Sequence, residues 1–284
     1  MNNLAPPELT TLSLLGHSFQ INFNPIFMTW VVMALLLLMA YLATRTLRSV
    51  PNTGQNLVEV VYDFVEDLTL TTLGQKEGKS FVPFIFTIFS FILLANWIGV
   101  IPNIAQLLGI VFALIHNLFG ADSIQIAVDG ITQINLVQSS GSWYSFLFKI
   151  PHEEPTRSVN TDLAIALVVF IVVHFNGIWK KGIAHYLKGY WGDVIPCKGY
   201  WLLLAPVNIM IPLNIISELS SVISHSFRLF GNIFGGFMIV TIVSSLVQFL
   251  AVPIALQAFF GLFSGLVQAF VFTMLAITYI GQKV

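Results

Sequence analysis

Arg228 and Glu218 are the only formal charges in an apolar stretch that runs from Leu202 to Leu250. An arginine at the centre of a membrane helix costs about 2.5–3.5 kcal/mol on insertion scales. With a pKa above about 12 it cannot shed its proton to escape that cost. Such a group calls for a compensating partner at membrane depth, and its chemistry is electrostatic. Hydropathy alone also allows a plainer reading, in which Arg228 sits in a polar turn between two spans.

Spacing favours the helix. Ser217, Ser221, Ser224, Arg228, Asn232 and Gly235 recur every three or four residues and so share one face. Leu219, Val222, Ile223, Phe230, Ile233 and Phe237 fall on the opposite side. In the next apolar segment Gly261, Gly265 and Gln268 share a face, with Tyr279 three turns on. Small residues let a second helix approach closely, whether within the chain or from a partner. Glu218 precedes Arg228 by ten residues, about 15 Å of helix. From the residues alone it is a paired interfacial acid. Asn160 and Asp162 open another apolar segment, where Asp162 is placed to cap the helix N-terminus. His174 and His225 fall near membrane depth; His225, one turn from Arg228, reads best as a structural histidine bonded to a backbone carbonyl, the alternative being a contact with the Arg228 site.

The elements that must position these residues follow from composition. Of 284 residues 56% are hydrophobic and 9% charged, where a soluble domain carries about 25% charged. The chain is therefore an all-α polytopic membrane protein. Net charge is -1, with no basic tract that would bind nucleic acid. Cys197 is the single cysteine, so neither an intrachain disulfide nor a cysteine metal cluster is expected. The first twenty residues hold no Lys or Arg, so the first apolar segment reads as a retained span rather than a signal peptide. Five spans are expected, at residues 25–44, 82–101, 163–179, 206–250 and 254–280. Residues 54–74 read as an amphipathic helix at the membrane interface. Leu57, Val60, Val61, Phe64, Val65 and Leu68 form its apolar side, and Glu59, Asp63, Glu66 and Asp67 its acidic side. Residues 103–160 form a long outer loop whose apolar part, Ile104 to Phe119, lies on or dips into the surface. Its polar alternating part, Asp122 to Gly141, reads as a hairpin.

Cations orient the spans. Placing Arg45, Arg48, Lys76, Lys79, Lys180, Lys181, Lys188, Lys198 and Lys283 in the cytoplasm leaves only Lys149 and Arg157 outside. The N-terminus is then outside and the C-terminus cytoplasmic. A single helix from Leu213 to Leu250 is roughly 57 Å long. To fit a hydrocarbon core about 30 Å thick it must tilt by roughly 60°.

Arg228-Leu229-Phe230-Gly231-Asn232, followed about forty residues later by Gln268-Ala269-Phe270, resembles subunit a of the F-type ATP synthases, the bacterial and chloroplast branch most closely. Gly54-Gln55-Asn56, Asn96-Trp97-Ile98-Gly99, Asn160-Thr161, Lys180-Lys181-Gly182 and Tyr279-Ile280-Gly281 agree with it. The resemblance extends over nearly the whole chain outside residues 103–154.

The resemblance implies that the last two helices form a long tilted hairpin beside a rotating c-ring, with Arg228 as the essential residue facing its carboxylates. Ser221, Ser224, Gly235, Gly261 and Gly265 would be the small residues turned to the ring, and Glu218, Asn232, Gln268, Asp162 and Asn160 the ion pathway. It implies as partners the c-ring, the peripheral-stalk b subunits, the remaining membrane sector and the lipid bilayer, in a bacterial inner membrane, with no cofactor, no metal and no nucleic acid. The chain has no phosphate-binding loop, so nucleotide chemistry belongs to partners. One departure stands out. Many bacterial relatives carry a glutamate nine residues after the arginine and a histidine or acid seven before the glutamine; here Phe237 and Gly261 stand there. The relatives' acid before span three is likewise replaced, by Arg157 and Ser158. A rival reading from another class is a stand-alone ion-coupled permease that uses Arg228 to bind an anionic substrate.

Overall fold

The computed structural model describes residues 9–14, 17–45, 47, 52–101, 103–118, 124–128, 134–138, 153–191, 210–247 and 251–283. Arg48, Lys149, Cys197, Lys198 and residues 206–209, where the long helix was expected to begin, lie outside them. The elements are strands β1 (Leu9–Leu14) and β2 (His17–Asn22), then helices α1 (Phe23–Arg45), α2 (Thr53–Leu73), α3 (Gln75–Trp97) and α4 (Ile104–Leu118). Strands β3 (Ile124–Val128) and β4 (Ile134–Gln138) and a 3-10 turn (Pro155–Arg157) lead to α5 (Val159–Lys181) and α6 (Ile183–Trp191). The chain closes with α7 (Met210–Leu246), α8 (Ala251–Ala258), a π-helical segment (Phe259–Ser264) and α9 (Gly265–Lys283).

Five stretches are helical, long and apolar enough to cross a membrane: Phe23–Arg45, Gln75–Trp97, Val159–Lys181, Pro212–Leu246 and Val252–Lys283. The all-α polytopic fold class holds for every membrane-length element. Two antiparallel hairpins, β1 with β2 and β3 with β4, add to it. The second lies in the stretch whose alternation suggests a hairpin; the first was not expected. Large apolar side chains stay uncovered on the long helices, Leu37 at 73% and Phe175 at 61% exposure. Lipid-facing side chains need no protein cover, whereas a soluble domain rarely leaves such large apolar patches open.

Two glycines place helix ends where a side chain would be strained. Gly74, at φ 80, donates its N–H to the Leu70 carbonyl and ends α2; Gly182, at φ 76, donates to the Ile178 carbonyl and ends α5. The chain then turns straight into α6, a helix within the segment after span three that was read as a loop. At the other end of α2 the Asn52 side chain accepts from the Gln55 N–H at 2.9 Å and caps the helix.

The chain forms two compact units. One comprises Met1–Tyr41, Phe91–Ser158 and Asn232–Val267. Its core joins Met28 and Val32 of α1 to Ala95 and Ile98, with Val31, Phe91 and Leu94 packed around them. The other comprises Leu42–Ser90, Val159–Gly231 and Gln268–Val284. There Val65, Ile85, Leu229, Phe272 and Ile277 are buried, and Phe64 of α2 meets the rings of Phe89 and Phe270.

Candidate functional site

The unit that holds Arg228 takes the first part of α7. Burial there follows the helical period: Glu218, Val222, Ser226 and Leu229 are buried. Ser217, Ser224, Arg228 and Gly231 are exposed and Ser221 is half-buried. Beside this small, polar strip runs a large apolar one of Leu219, Ile223 and Phe227, each more than half exposed. Leu219 and Ile223 do not turn inward with Val222, because the unit covers one side of α7 and leaves about half its circumference open. Arg228 makes no ion pair among the described residues. A Cβ on Gly231 would meet nothing within 4 Å.

His225 Nδ1 donates to the Ser221 carbonyl at 2.6 Å, and its ring stands edge-on to Phe272. This is the structural histidine expected. Glu218 gathers a polar cluster in the same unit. It accepts a hydrogen bond from the Tyr279 hydroxyl, pairs with the Lys283 ammonium and lies 3.3 Å from His174 Nε2. His174 Nδ1 in turn donates to the Phe170 carbonyl at 2.8 Å. Asp162 is fully buried, with neither carboxylate oxygen hydrogen-bonded among the described residues, and so it does not cap α5. Gln268 is buried with its Nε2 unbonded, and Asn160 is exposed.

The other unit holds a second polar site. Asn96, at the end of α3, donates to the Gly265 carbonyl at 3.2 Å and accepts from the Thr156 hydroxyl at 2.7 Å. Ser264 Oγ donates to Asn232 Oδ1, and Gln257 Nε2 donates to the Gly99 carbonyl at 3.2 Å. Asn96, Glu154, Asn232 and Gln257 line a small open cleft, together with Phe237 and Gly261. The Arg157 guanidinium lies over the Phe237 ring, 3.7 Å from its centre. Two departures from the family pattern, at residues 157 and 237, therefore meet here.

Two of the glycines assigned to a ring-facing surface belong to this packing instead. Gly265 is buried, and a Cβ there would meet the Asn96 Cβ at 3.0 Å; a Cβ on Gly261 would overlap Val100. These residues are small so that this helix can sit against the end of α3. Gly235 keeps open space around it. Sequence reasoning missed Glu154, Thr156 and Ser264. The signal that pointed to this place was the Asn96-Trp97-Ile98-Gly99 motif, whose side chains and backbone anchor the whole cluster. Among known protein families, the ATP synthase A chain matches residues 26–281.

Proposed function

Because the chain belongs to the ATP synthase A chain family, and so to the membrane sector of that enzyme, we propose that it is the ion-translocating stator subunit of an F-type ATP synthase. It supplies two half-channels to a rotating c-ring and is held by peripheral-stalk b subunits. Its nucleotide chemistry is done by other subunits. The observation that carries this reading is the display of Arg228 on an uncovered strip of small and polar residues along a 37-residue apolar helix.

A ring carboxylate that approaches this strip meets a fixed cation in place of its bound ion. Two unit charges about 4 Å apart attract by about 4 kcal/mol at an effective dielectric near 20. At 1.36 kcal/mol per pKa unit this corresponds to a displacement of roughly 3 units toward the ionised form. Arg228 thus drives the ion off the carboxylate. Being permanently charged, it also repels a cation crossing directly between the half-channels, so the ion must travel with the ring. The small residues Ser221, Ser224 and Gly235 allow the close approach this requires.

Glu218, with Tyr279 and His174, serves the cytoplasmic half-channel. Asn160, Asp162, Asn232 and Gln268 serve the outer one. Asp162 fits that part because a buried, unpartnered carboxylate is unstable as a bare anion and needs an ion or water beside it. In this reading the N-terminus is outside and the C-terminus cytoplasmic, in a bacterial inner membrane. The test is Arg228→Ala in the assembled complex: ion-driven ATP synthesis should disappear, and undiminished synthesis would overturn the reading.

A further inference from the structure

We propose that the Glu154 carboxylate, seated beside Gly99 in the polar cleft, is the ion-accepting group of the outer half-channel, in the place that Phe237 and Gly261 leave without one. This rests on the reading of the chain as the ion-translocating stator subunit.

Three observations meet at Glu154. It lines the same cleft as Phe237 and Gly261, the two positions where relatives carry titratable groups. The backbone is shaped for it: a methyl group on Gly99 would coincide with the Glu154 side chain, so the absence of one there makes the seat. The carboxylate also carries no ion pair among the described residues. The neighbouring cation is engaged elsewhere, since the Arg157 guanidinium lies on the Phe237 ring; only the backbone N–H of Arg157 reaches Glu154, at its carbonyl, 3.0 Å away.

The groups that face Glu154 across the cleft are neutral: Asn96 from α3, Asn232 from α7 and Gln257 from α8. Glu153 and Arg157 are the charged residues of its own segment. Each amide has two N–H donors. The bonds to Gly265 and Gly99 occupy one donor each on Asn96 and Gln257. Asn232 spends one of its own on the Ser264 carbonyl. One donor on each amide is left for water. A half-buried carboxylate in such a cleft can bind an ion from the outer side and release it inward. For a proton, an O–H bond forms as hydronium on the outer side gives it up and becomes water, and breaks as the proton passes to water in the cleft, which becomes hydronium. For sodium, the carboxylate oxygens coordinate the ion. The neutral polar walls suit either source.

The experiment uses the assembled complex in vesicles and measures ion flow through the membrane sector against outer pH, with and without sodium. Glu154→Gln should lower flow by about 100-fold, as removal of a proton-transfer group does, and flow within about twofold of the unaltered complex would overturn the proposal. Glu154→Asp keeps the carboxylate and should retain most of the flow. Loss of flow in an assembled Glu154→Asp complex would overturn the proposal even if Glu154→Gln fails to assemble. Adding Gln257→Glu to Glu154→Gln moves the carboxylate across the cleft and should restore flow; no restoration in an assembled complex counts against the proposal. Flow that rises with sodium marks that ion and flow indifferent to it marks the proton; either supports the proposal when Glu154→Gln abolishes it. Arg228→Ala, measured beside these, separates the two readings. If it abolishes coupled synthesis while Glu154→Gln changes nothing, only the assignment of Glu154 falls.

Discussion

Ser264 and Asn232 exchange hydrogen bonds: Ser264 Oγ donates to Asn232 Oδ1 at 2.6 Å, and Asn232 Nδ2 donates back to the Ser264 carbonyl at 3.4 Å. This pair ties α7 to the helix that follows it, at the asparagine four residues after Arg228. Side-chain hydrogen bonds between membrane helices are worth about 0.6 kcal/mol on average. Ser264→Ala and Asn232→Ala should therefore couple by about 0.5–1 kcal/mol in a double-mutant cycle on the stability of the complex in detergent. Strict additivity would show that the pair does not hold the hairpin.

In the role proposed for Arg228, charge alone is not enough. Lysine keeps the positive charge but lacks the planar fork, and it gives up its proton more readily in an apolar site. Arg228→Lys should reduce coupled ATP synthesis by about 100-fold, roughly 2.7 kcal/mol, while still blocking the passive leak that Arg228→Ala opens. Equal leak in the two variants would count against the role of the fixed charge.

The cluster around Glu218 separates two contributions. Tyr279→Phe removes one hydrogen bond to a carboxylate and should cost about 1.5–3 kcal/mol of stability. Glu218→Gln leaves Lys283 and His174 without their anion. It should slow ATP-driven ion pumping more than Tyr279→Phe does. Pumping at the full rate in Glu218→Gln vesicles would remove Glu218 from the ion path.

Glycines 235 and 265 should answer substitution in opposite ways. A side chain at Gly265 runs into Asn96, so Gly265→Val should destabilise the subunit by about 1–3 kcal/mol through overpacking. Gly235 faces open space, and Gly235→Ala should leave the stability of the isolated subunit undiminished, because alanine favours the helix by up to about 1 kcal/mol. Coupled synthesis should nonetheless fall, because the added methyl stands on the face proposed to meet the ring. Comparing thermal unfolding with ATP synthesis for each variant checks both.

Much of this was legible in the sequence, for identifiable reasons. Twenty-residue apolar runs and the 3.6-residue period are local signals, and they mark the membrane-length helices and the amphipathic α2 before any contact is known. Spacing says which residues share a face but not what that face touches. Gly261 and Gly265 looked like an outward surface, yet they pack against Val100 and Asn96. Leu219, Val222 and Ile223 share a side by spacing, yet only Val222 is buried, because the unit covers only one side of α7. Glu154 was invisible because its place depends on α3, α7 and α8 meeting around it, from positions up to about a hundred residues away. The β1–β2 hairpin and α6 are short, and segments of that length carry too few periods to be read.

The π-helical segment from Phe259 to Ser264 sets an angular offset between two anchors. Gln257, just before it, is fastened to the Gly99 carbonyl, while Ser264 and Gly265, at its end, are fastened to Asn232 and Asn96. A turn closed by i→i+5 bonds holds more residues than an α-helical one. The segment therefore acts as a gear tooth. Deleting one residue within it would swing the anchors on its two sides by about 100° relative to each other. The bonds at Gly99 and at Asn232 could then no longer form together. The length of this six-residue stretch, more than the identity of its apolar side chains, fixes the azimuth at which the last helix begins.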